Sequence, residues 1–130
     1  RGSPEYRAWQ AENDVLQPVA DQASMLFPSL YTFYESEEGW VAYAEENLRE
    51  ARRLAKGKPV YAFLWPRYHE SNRRLRGRAI DGGYWRLELD TVHRLADGLV
   101  LWGGGAWDEN AEWWQQTRAF VRCVVGSLAD

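Results

Sequence analysis

Trp65, Arg67, Tyr68, His69 and Glu70 crowd into six residues at the downstream end of an apolar run, in the stretch PVYAFLWPRYHE at positions 59–70. An indole, a phenol, an imidazole and a carboxylate held together can stack on a ligand and move protons. Two other short runs end the same way. MLFPSLYTFY, at 25–34, delivers Tyr31 and Tyr34 and is followed by Glu35. GLVLWGGG, at 98–105, delivers Trp102 and is followed by Trp107, Asp108 and Glu109. Aromatic faces pack on the C–H faces of sugars, and carboxylates bind hydroxyls or do acid–base work. A phosphate site asks for the reverse, backbone N–H groups with Lys or Arg. The candidate substrate-binding set is therefore Tyr31, Tyr34, Glu35, Trp65, Tyr68, His69, Trp102 and Asp108.

Each of these residues also has a plainer use. Glu35, Asp108 and Glu109 can cap helices or offset a helix dipole. GGGAWDEN, at 103–110, can be a tight turn into a helix. It lacks the third glycine of a dinucleotide fingerprint and the lysine of a P-loop, so a small phosphate- or nucleotide-binding α/β domain remains only as an alternative. His93 has no ligand partner at metal-site spacing and reads as a helix-surface or partly buried residue. The lone cysteine, Cys123, lies in the apolar AFVRCVVGSL and reads as a core residue. No metal or other cofactor is expected.

The elements that must position the candidates follow from patterning. Ser3-Pro4-Glu5 is a helix start, and Pro18 ends or kinks that helix. The first half of residues 25–34 predicts a buried strand, with Pro28 as an obstacle to a regular ladder. SEEGWVAYAEENLREARRLAKGKP, at 36–59, is the clearest helix: Ser36 caps it, Trp40, Ala44, Leu48, Ala51 and Leu54 or Ala55 make one apolar face, and Gly57 and Pro59 stop it. PVYAFLW is a second strand. A loop from Pro66 to about Gly83 exceeds the usual two to six residues. Residues 84–98 predict a helix with Trp85, Leu89, Val92 and Leu95 or Ala96 inward; 98–105 is a third strand, and Asp108 caps a last helix.

The order is αβαβαβα. Apolar strands joined by helices imply a three-stranded parallel sheet covered by helices, consistent with part of a barrel or an open sheet. At 130 residues one domain, 1–130, is expected. The chain is 45% hydrophobic and 15% aromatic, with eight Trp, so several Trp must serve a core or a binding face. A net charge of −3 argues against a phosphate-neutralising nucleic-acid groove, and the cluster RRLRGR, Arg73 to Arg78, reads as a solvated loop. No apolar run is long enough to span a membrane.

LFPSLY (26–31), PVYAFLWPRY (59–68) and ADGLVLWGG (96–104), with REARRLAKGKPV (49–60) between the first two, resemble in order and spacing the last strands of hyaluronidase-type glycoside hydrolases. The resemblance covers about residues 20–105. It implies a (β/α) barrel that cleaves glycosaminoglycans with help from the substrate's own acetamido group. Tyr31 would match a substrate-side tyrosine and Trp102 the tryptophan that floors the sugar site. Phe63 stands where the family often has Tyr. The family's D-x-E catalytic pair has no counterpart; ELD, at 88–90, reverses the order and lies on a predicted helix.

A complete barrel takes about 250 residues. The expectation is therefore a partial barrel, like the last three βα units, that binds an oligosaccharide without hydrolytic activity of its own. Three barrel strands leave open edges. A homo-oligomer, or the remainder of a larger barrel, is the expected partner. The alternative is an assembly module whose open edges serve oligomerisation alone.

Overall fold

The computed structural model describes residues 1–103 and 108–129, with side chains to 126. Helix α1 spans Pro4–Asp14 and α2 spans Gln17–Gln22. Ser3 caps α1 by accepting a hydrogen bond from the Tyr6 amide, and Pro18 opens α2 at a position that needs no N–H donor. No residue of α1 is buried. Polar ties hold it to α3, Glu37–Ala55: Tyr6 Oη donates to Glu46 (2.8 Å), Gln10 and Asn13 donate to Glu50 (3.2 and 3.3 Å), and Asp14 pairs with Arg53 (2.7 Å).

Helix α3 forms as its pattern demands. Ser36 Oγ accepts from Gly39 N–H at 3.1 Å, Glu37 and Glu38 sit at the positive end, and Trp40, Ala44, Leu48, Ala51, Leu54 and Ala55 are buried. Lys56 (φ 50°) takes the left-handed cap, followed by Gly57 (φ 91°). Strand β1, Tyr61–Leu64, follows at once and pairs in parallel with β2, Gly98–Leu101, in the register Tyr61 to Gly98 through Leu64 to Leu101. Helix α4, Gly82–Leu95, crosses between them and packs against both α3 and α5, Glu112–Ala129.

The expected three-stranded sheet is corrected to a two-stranded one. The third participant, residues 26–32, runs beside β1 as isolated parallel bridges, Leu26 to Val60, Ser29 to Phe63 and Thr32 to Tyr68. Its hydrogen bonds show why. Leu26 N–H donates to Pro59 (3.0 Å), Tyr61 N–H donates to Leu26 (2.9 Å), Phe63 N–H donates to Pro28 (2.9 Å) and Leu30 N–H donates to Phe63 (2.9 Å). A regular ladder would also have residue 28 donate between these, and proline has no N–H.

Helix α4 starts earlier than its apolar stripe: Asp81 accepts from the amides of Gly83 (3.0 Å) and Tyr84 (3.2 Å). Trp85, Leu89 and Val92 are fully buried, and the Trp85 indole donates to Thr117 Oγ1 on α5 at 2.8 Å. The expected cap of the last helix is also corrected. Asp108 Oδ1 accepts from Asn110 N–H (2.8 Å), a turn ahead of a helix that begins at Glu112. Cys123 is exposed on α5, not in the core, because Thr117 and Phe120 mark that helix's buried line. His93 is exposed and meets Phe120 edge to face at 5.6 Å. No helix among the described residues is long and apolar enough to cross a membrane.

Candidate functional site

The strand PVYAFLW separates two kinds of side chain. Val60, Ala62 and Leu64 are fully buried against the helices. Tyr61, Phe63 and Trp65 point to the other face and are half-buried. On the same face, Phe27 lies edge-on to Tyr61 (6.3 Å) and Phe63 (5.7 Å), and is 46% exposed. The Tyr61 ring lies over Gly98, where a Cβ would come within 2.7 Å of it, so only glycine lets β2 pass so close. The helices cover one face of the sheet; the aromatic face is left open.

The downstream end of this face gathers four of the candidate residues. Tyr31 meets Trp65 edge to face at 6.2 Å and stacks on His69 at 6.0 Å, with planes 17° apart. Trp102 N–H donates to Leu64 O at 2.7 Å, so Trp102 leaves β2 level with Trp65; it is 53% exposed. A Cβ on the next residue, Gly103, would lie 3.4 Å from the Trp65 indole. Tyr31, Trp65 and His69 are each half-buried. His69 is fixed at both ends: its N–H donates to Thr32 O (2.8 Å), and its Nδ1 accepts from Ser71 N–H (3.2 Å). Nδ1 also lies 3.0 Å from Ser71 Oγ.

The other candidates are elsewhere. Tyr68, expected on the rim, is in the core at 6% exposure, because alternation after Leu64 turns it inward; burial pushes its phenol up. Tyr34 is exposed and lines a separate cavity of about 260 Å³ with Phe33, Ser36, Gly39, Trp40, Tyr43 and Tyr84. Glu35 forms an ion pair with Arg74 at 2.5 Å, which absorbs one member of the basic cluster. Asp108 is exposed, and Gly104 to Trp107 lie outside the described residues, so the glycine-turn alternative has no geometry to weigh.

The long loop is ordered. Tyr68 N–H donates to Arg78 O, Gly77 N–H returns to Tyr68 O, and Ile80 N–H donates to Pro66 O, each at 3.0 Å. Asn72 donates to Phe33 O at 2.7 Å and accepts from the amides of Arg74 and Leu75, so the loop is pinned to the segment that carries Tyr31.

Two features were not anticipated from sequence. Phe27, Tyr61 and Phe63 extend the aromatic face upstream. The alternation of aliphatic and aromatic residues in VYAFLW is the signal that carries this. The other is Glu88, fully buried on α4, with Thr32 Oγ1 donating to its Oε1 and no partner for Oε2 among the described residues. Burial without a cation pushes its carboxyl well above the usual range; the Thr32 bond opposes this. No cluster of three metal-ligating side chains occurs among the described residues.

Parallel strands backed by helices, with aromatic residues leaving the strand ends, define a mixed α/β fold. No protein-family model matches the sequence, and no curated protein matches it significantly. Among solved structures the chain is similar to bee venom hyaluronidase in a monoclinic crystal form, with a TM-score of 0.64 and 23% identity over 91% of this chain and 38% of that one. It is also similar to bee venom hyaluronidase in complex with a hyaluronic acid tetramer, with a TM-score of 0.62 and 20% identity over 89% of this chain and 36% of that one. The fold is therefore hyaluronidase-like, and the chain spans just over a third of the length of the proteins it resembles.

Proposed function

We propose that this chain is a carbohydrate-binding segment of a glycoside-hydrolase-like barrel, equivalent to the last three βα units, without hydrolytic activity of its own. The observation that carries the reading is the cluster of Tyr31, Trp65 and Trp102 at the downstream ends of parallel segments, each partly exposed on one side. Rings held at fixed angles by neighbours offer sugar faces a platform at little entropic cost. His69 adds a polar ring beside them. Hydrolysis needs an acid free to reach the glycosidic oxygen. Glu35 is tied to Arg74 and Glu88 lies in the core, which supports binding over catalysis.

The test is titration with hyaluronic acid tetramer, followed by NMR of the indole N–H groups and by release of reducing ends. Expected are shifts at Trp65 and Trp102 with a Kd of about 1 mM or tighter, and no reducing ends. Saturating tetramer that leaves both indoles unmoved overturns the reading.

A second reading, assembly through the open sheet, is favoured by a different observation. Phe27, Leu101 and Trp102 are 46%, 38% and 53% exposed on the uncovered face and at the β2 edge, where another strand can pair.

A further inference from the structure

Glu88 has no role in the carbohydrate platform as described, yet it is connected to it. Thr32, itself fully buried, donates from Oγ1 to Glu88 Oε1, while its carbonyl accepts the His69 N–H at 2.8 Å. Thr32 stands between Tyr31, which stacks on His69 at 6.0 Å, and Phe33, whose ring lies 4.9 Å from the same imidazole. One residue thus joins the buried carboxyl on α4 to the His69 backbone, and its two chain neighbours carry rings that meet the His69 imidazole.

We propose that Glu88 is a positioning residue for the aromatic platform: its carboxyl holds Thr32, and through Thr32 the Tyr31–His69 pair, in the arrangement that meets the ligand. For the ligand, the inference rests on the carbohydrate reading; for the geometry, it does not.

The surroundings explain why the carboxyl does this in its neutral form. The elements packed into this core present Ala62 and Leu64 from β1, Trp40, Ala44 and Leu48 from α3, and Thr117 and Phe120 from α5. None of these is charged. The titratable groups within electrostatic reach are the phenols of Tyr68, after β1, and Tyr84, one turn earlier on α4. No cation pairs with Glu88 among the described residues. A neutral carboxyl tolerates one hydrogen bond and one bare oxygen; an anion there is far costlier. Ionisation therefore favours rearrangement of Glu88, and Thr32 is the group it holds.

Three variants separate positioning from mere packing. Glu88→Gln keeps an acceptor for Thr32 and has no proton to lose. Glu88→Leu removes the polar contact. Thr32→Val keeps the shape and removes the hydroxyl. The readouts are the ring signals of Tyr31 and Phe33, the Trp65 indole N–H, and the affinity for the hyaluronic acid tetramer. In the parent chain the ring signals should shift as pH rises through the Glu88 titration. Glu88→Gln should lose the part of that shift that depends on Glu88. Thr32→Val and Glu88→Leu should displace the signals at every pH and weaken tetramer binding by about fivefold or more, the equivalent of one lost hydrogen bond.

If Glu88→Leu fails to fold, Thr32→Val decides. Ring signals unmoved in folded Thr32→Val, or a pH-dependent shift in Glu88→Gln equal to the parent chain's, overturns the positioning role. Ring signals that move as expected while the parent chain binds no tetramer leave the positioning role standing and remove the carbohydrate reading instead.

Discussion

The ring of Tyr31 meets the indole of Trp65 edge to face, with centroids 6.2 Å apart and planes inclined by 72°. The two residues come from different segments, one on the bridged stretch before α3 and one just past β1. Their contact therefore depends on the parallel pairing of those segments. Trp65→Ala removes the wall on which Tyr31 rests and one of the two indole faces of the platform. Tetramer affinity should fall at least tenfold, and Tyr31→Ala should cost somewhat less, because the indole remains. Burial and aromatic-pair terms of about 1–3 kcal/mol set that scale. Calorimetric titration of both variants checks the order. Equal affinity in Trp65→Ala and the parent chain would place any sugar site elsewhere.

Helix α1 offers a prediction about stability. It buries no residue, and its hold on α3 runs through Glu50, whose side chain is 5% exposed and pairs with Arg53 at 2.5 Å. The Arg53 guanidinium, with Gln10 and Asn13, holds the Glu50 carboxyl below the usual carboxylate range. Glu50→Ala strips the acceptor from all three. The expected cost is about 1.5–3 kcal/mol, the range for hydrogen bonds to charged groups. The loss should be local first: Trp9 on α1 should change its fluorescence at lower denaturant concentration than the core indoles. Salt should loosen α1 in the parent chain as well, since several of its ties are exposed ion pairs. A single cooperative transition in Glu50→Ala, shared by all indoles, would contradict a peripheral, polar attachment.

Sequence patterning recovered the helices well, because their information is periodic and local. Trp40, Ala44 and Leu48 repeat at helical spacing, and Ser36 marks the start. The strands were harder for a physical reason. Pro28 removes one donor, so a segment that truly lies beside β1 bridges it only at isolated points. In VYAFLW every residue is apolar, so a hydrophobic–polar reading sees no alternation; sorting aliphatic from aromatic reveals it. That sorting also predicts that Tyr68 turns inward, four residues on from Leu64, and that Phe63 belongs to the open face. Glu88 was illegible. A glutamate on an amphipathic helix is ordinarily solvated, and only the packing of Thr32 against α4 shows that this one is not. Cys123 failed the other way: its run is apolar, but α5 packs chiefly on α4, and the cysteine falls off that line.

The exposed edge supports a prediction about mass. Leu101 ends β2 at 38% exposure, with Trp102 beyond it, and among the described residues β2 pairs with β1 alone. An apolar edge without charge can recruit another strand. Light scattering over a concentration series should show reversible association of the chain, and Leu101→Lys should return it to a monomer without loss of helix signal. A clean monomer at high concentration for the parent chain would sink the assembly reading and leave the carbohydrate reading untouched.

Stability should fall on both sides of a mildly acidic optimum, through different residues. On the acid side, Asp97 Oδ2 accepts the Val60 N–H at 2.8 Å, and this bond, with Arg52 nearby, lowers its pKa. A group held below its unfolded value stabilises the fold while ionised, and that contribution is lost as pH falls through the folded value. Glu46 and Glu50 act in the same direction. Glu88 has the opposite sign. Its folded carboxyl is raised well above 4.5 by burial, so the native state binds a proton that the unfolded state releases. Its contribution is complete below the unfolded value and is lost as pH rises towards the folded one. Glu88→Gln should therefore flatten the stability profile above pH about 4.5, the unfolded carboxyl range, and leave the acid limb unchanged. Asp97→Asn should reduce the acid limb alone. Denaturant midpoints measured from pH 3 to pH 9 test both. An alkaline limb that persists unchanged in Glu88→Gln would mean that the buried carboxyl does not titrate across that range, and that other groups cause the decline.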